Sequence, residues 1–63
     1  MRTPADVEGD ISEVKRNIRV NESRLENATT AKSIEFYQEM LKQLNAQLTE
    51  LLKERNNLGI YPT

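Results

Sequence analysis

Val7, Ile11, Val14, Ile18, Asn21, Leu25 and Ala28 recur at spacings that alternate between four and three residues. That period keeps every member on one stripe of a helix, and a stripe sustained this long directs a chain toward coiled-coil-like packing. Asn21 is its one polar member. Ile34, Tyr37, Leu41, Leu44, Leu48, Leu51, Arg55 and Leu58 repeat the pattern in the second half, and only Arg55 breaks it. The phase does not carry across, because continuing the first tract would place Lys32 and Glu35 on the stripe. Two helices joined by a turn are therefore predicted in preference to one long helix.

Facing positions of an antiparallel hairpin have a constant sum of residue numbers. Leu25 with Ile34, Asn21 with Tyr37, Ile18 with Leu41, Val14 with Leu44, Ile11 with Leu48 and Val7 with Leu51 give sums of 58 or 59 throughout. These layers fall into register around a turn near Thr29. The polar seam residue Asn21 is thereby set opposite the polar-tipped Tyr37, and a bond from the Asn21 amide to the Tyr37 hydroxyl or to water is expected to fix the register.

Local signals agree with this division. Thr3-Pro4-Ala5-Asp6 supplies an N-cap, a proline at the first helical position and an acid placed to reach back, so helix one is expected over about 4–27. Asp10 with Glu13 offers a rival start that leaves Gly9 outside, because glycine in a helix interior costs about 1 kcal/mol. Thr29 or Thr30 can cap helix two after a turn at about 28–31. Helix two is expected over about 31–58, where Leu58-Gly59-Ile60 reads as a C-terminal stop, and Pro62 keeps the tail 59–63 from resuming it.

Composition enters at this point. A single domain of 63 residues gains only roughly 3–5 kcal/mol from its own core, so a staple or a partner is expected. With no Cys and no His, disulfides, thiolate or imidazole zinc sites and the usual general base are all missing, which leaves oligomerisation. Helix two is apolar beyond its stripe at Met40 on one flank and Leu52 on the other, a face wide enough to need a second neighbour. The expected assembly is a homodimer of hairpins forming a four-helix bundle, with higher-order association left open by Val20 and Phe36. Those two lie outside the stripes near the hairpin tip and are candidates for partner docking.

No apolar run is long enough for a signal-peptide core or a membrane span, and the chain reads as soluble and cytoplasmic. Asn21-Glu22-Ser23 and Asn27-Ala28-Thr29 match the glycosylation pattern, which has chemistry only in a secreted protein. The formal charge of −1 creates no global field, yet the charges are segregated. Residues 1–13 sum to −3, while 14–25 sum to +3 through Lys15, Arg16, Arg19 and Arg24 against Glu22. Lys15 and Arg19, at i,i+4 with like sign and with Arg16 beside them, invite an anion or a nucleic acid.

Catalysis has no foothold. Glu35 with Glu39 and Glu50 with Glu54 are i,i+4 pairs of the kind found on solvated helix faces, and no glycine-rich phosphate loop or cofactor motif is present. In length and layout the chain is similar to the repressor-of-primer hairpins, which dimerise into four-helix bundles and bind paired RNA hairpins. That likeness implies a small nucleic-acid-binding regulator acting through Lys15, Arg16 and Arg19. The hairpin phosphatases of sporulation response regulators carry Ser-Gln-Glu-Leu-Asp in their second helix. The nearest stretch here, Leu44-Asn45-Ala46-Gln47-Leu48, lacks both acids. The reading that accounts for most residues is a self-associating protein-interaction or assembly module, with a size and style that suit accessory proteins of bacteria, phages or plasmids.

Overall fold

The computed structural model describes residues 2–57 and is all-helical over them, with α1 at Pro4–Asn27 and α2 at Ala31–Asn57. A helix of 27 residues is about 40 Å long. The longest dimension of the molecule is 46 Å, so the two helices lie side by side as a hairpin. The predicted stop at Leu58-Gly59-Ile60 and the tail to Thr63 fall outside the described residues.

The start of α1 follows from three side chains. Thr3 is extended and accepts from the Asp6 backbone N–H at 3.2 Å, while the Asp6 carboxylate accepts from the Thr3 N–H at 3.1 Å. This reciprocal box satisfies two of the donors a helix start leaves open, and Pro4 has none to satisfy. The rival start at Asp10 is not used, for α1 runs through Gly9 without interruption. α1 stops where Ala28 turns extended and its N–H bonds back to the Leu25 carbonyl at 3.1 Å. Of the two threonines in the turn, Thr30 caps α2. Its hydroxyl oxygen accepts from the Ser33 N–H at 3.1 Å, and its carbonyl receives the Ile34 N–H at 3.0 Å.

The buried core is small. Among the described residues Val7, Ile11, Val14 and Leu44 are buried, and no polar or charged residue is. Ile18, Leu25, Ile34, Tyr37, Leu41, Leu48 and Leu51 are half-buried, as are the flanking Met40 and Leu52. All four buried residues lie in the half of the seam nearer the chain ends, although Leu48, Leu51 and Leu52 beside them stay half-buried, and no described seam residue toward the turn is buried.

At Asn21 the first of the two expected partners is replaced: its Nδ2 donates not to the Tyr37 hydroxyl but to the Asn17 carbonyl 2.8 Å away on its own helix. A helical side chain lies over the turn before it, so this carbonyl is within reach without any movement of the backbone. Tyr37 instead meets its neighbour Phe36 edge to face, with ring centroids 5.2 Å apart.

Candidate functional site

The hairpin carries three surfaces, two beside the seam and one on the outer face of α1. The first lies at the open end of the hairpin, where α1 begins and α2 finishes. Arg2 pairs with Asp10 at 2.7 Å and, through its Nε, with Glu54 of the opposite helix. Arg55, the break in the second apolar tract, pairs with Glu8 at 3.1 Å and keeps its side chain 23% exposed. The Arg55 Nε is buried while its Nη1 meets the Glu8 carboxylate, so the charge at a stripe position keeps an acidic partner on the facing helix. Hydrogen bonds from Glu54 first and Asp10 second raise the Arg2 pKa further above its ordinary value. These contacts tie the helices together where the chain ends would otherwise splay.

The second surface is an open groove of about 550 Å³ between the helices. Val14 and Leu51 give it apolar floor area, Ala46 and Gln47 line α2, and Asp10, Glu13 and Glu50, with the neutral Asn17, give it a polar and largely acidic rim. Among the described residues no group of three potential metal ligands converges anywhere. The groove is thus an apolar-floored recess without the convergent polar groups that orient a small substrate.

The third surface is the outer face of α1. Ser12, Lys15, Arg16 and Arg19 line a shallow depression of about 230 Å³, and all four are exposed. Their i, i+3, i+4, i+7 spacing puts them on one stripe. The predicted basic residues are therefore brought together, and Ser12 joins them, a member that charge alone does not signal but helical spacing does. The predicted docking residues Val20 and Phe36 stand 41% and 59% exposed on different helices.

Neither described helix is long and apolar enough to cross a membrane. No protein-family model, no curated protein and no solved structure matches the chain. The residues alone carry the functional argument.

Proposed function

We propose that this chain is a self-associating helical hairpin, pairing into a four-helix bundle and serving as a protein-interaction or assembly module. The observation that carries this reading is the burial of α2. Of its apolar residues only Leu44 is buried, while Ile34, Tyr37, Met40, Leu41, Leu48, Leu51 and Leu52 keep part of their surface in water. Each apolar group left half wet forgoes much of the roughly 1.5–3 kcal/mol that complete burial of such a side chain provides. A second hairpin laid on the seam covers these groups together, and helix pairs crossing near 20° let their ridges interlock.

A two-fold pair is the simplest closed arrangement, because one face then serves both partners. In that assembly the seam residues carry stability and the outer faces carry recognition. Sedimentation equilibrium at micromolar protein is expected to return at least twice the 7.3 kDa chain mass, with a melting temperature that rises with concentration. A folded monomer whose melting temperature ignores concentration would overturn the proposal.

A further inference from the structure

We infer that Ser12, Lys15, Arg16 and Arg19 on the outer face of α1 form a binding site for the phosphate backbone of double-stranded nucleic acid. The argument begins with unmatched charge. Among the described residues none of Lys15, Arg16 and Arg19 has an ion-pair partner, although Glu13 precedes Arg16 by three positions and Glu22 follows Arg19 by three. Arg2 holds Asp10 and Glu54, Lys53 meets Glu50 and Arg55 holds Glu8, while Arg24, Lys32 and Lys42 also have no ion pair among the described residues; what sets the three apart is that they share one stripe of α1 and line one depression. Lys15 and Arg19 also face each other with like sign one turn apart, which disfavours the isolated helix.

The lining fixes the chemistry of the occupant. Lysine and arginine offer donors and no acceptor, and Ser12 adds a hydroxyl that can donate. Such a set complements a ligand that presents only acceptors and several negative charges. Protein interfaces have an apolar or aromatic centre, and no apolar residue lines this depression. Phosphate contacts, by contrast, are made by arginine, lysine and serine side chains. Single strands owe their affinity to bases stacked on aromatic rings, which this face lacks, so the duplex is the better fit. Contacts to phosphate carry no sequence information, so this binding is expected to be independent of sequence. The site lies off the seam, so each hairpin of an assembly would carry it.

The test is fluorescence anisotropy of the full chain with labelled duplex DNA and duplex RNA, each titrated across salt concentrations, with the single strand and polyglutamate as further probes. Three phosphate contacts per hairpin predict a log–log salt slope of about −2.7, and each of K15Q, R16Q and R19Q should reduce its magnitude by about 0.9. The triple variant should lose at least about tenfold in affinity while keeping wild-type helix content and sedimentation mass, and the charge-conserving K15R/R19K should retain binding. Binding confined to one duplex names the source of the phosphates and supports the site. The inference is overturned by no salt-dependent binding to either duplex, by a triple variant that binds like wild type, or by single-strand binding as tight as duplex binding. Polyglutamate binding as tight as the duplex overturns it too and reassigns the face to an acidic protein. The slope and its change per substitution are counted per hairpin engaged, a number that sedimentation measures separately, whereas the loss of affinity in the triple variant and the preference for duplex do not depend on it.

Discussion

Asp6 shows how much one side chain can organise. Its carboxylate accepts the Thr3 N–H while the Thr3 hydroxyl oxygen accepts the Asp6 backbone N–H, and the Thr3 N–H first, with the Thr3 hydroxyl second, holds the Asp6 carboxyl below the ordinary carboxylate value. A carboxylate whose folded pKa is lowered adds stability that is fully present above the unfolded value of 3.8 and is lost as pH falls through the folded one. Asp6→Asn should therefore melt below wild type at neutral pH, with the gap closing as the solution is acidified beneath the usual carboxylate range. A gap of constant size across a pH series of thermal melts would remove the charged capping bond from the account. Arg55 makes the complementary point, since a guanidinium is tolerated at a stripe position where the seam opens onto Glu8.

At the scale of the element, α1 is a helix with one internal weakness. Gly9 lies inside it with open space around the position a Cβ would take. Glycine there adds only the entropy of a freer unfolded chain, so Gly9→Ala should stabilise the fold by about 0.5–1 kcal/mol, read as a higher midpoint in a urea melt. A neutral or destabilising result would mean that a second chain packs against this face of α1. α2 differs in kind. Its half-buried residues include Met40 and Leu52 on opposite flanks of the seam, a breadth of apolar surface that one neighbouring helix does not cover.

For the whole molecule, the distribution of burial decides which substitutions are felt. Leu44 is 7% exposed and is the one buried residue of α2 among those described. Leu44→Ala removes a branched side chain from the middle of the register, where Val14 is buried in the facing helix, and should cost about 2–4 kcal/mol in chemical denaturation. A loss below about 1 kcal/mol would show that the seam collapses around the missing group. The ion pairs of Arg2 and Arg55 close the far end of the rod from the turn. The exposed pair of Arg2 with Asp10 contributes little, so it sets alignment more than stability.

The period of the apolar residues determined two helices, and the break in phase between Ala28 and Ile34 determined the turn, because helical geometry leaves only one spacing that keeps a stripe on one side. The cap at Thr3 was equally legible, since its three participants are neighbours in sequence. What depended on competition between local and distant partners was decided in three dimensions. The Asn21 amide had a candidate across the seam and a carbonyl one turn behind it, and the nearer group won because reaching it moves no backbone. Charge spacing marked Lys15, Arg16 and Arg19 as a patch, but which cations find acids depends on what the opposite helix presents. Glu54 reaches Arg2 and Glu8 reaches Arg55 across a gap that only packing closes, whereas the outer face of α1 has no helix opposite it.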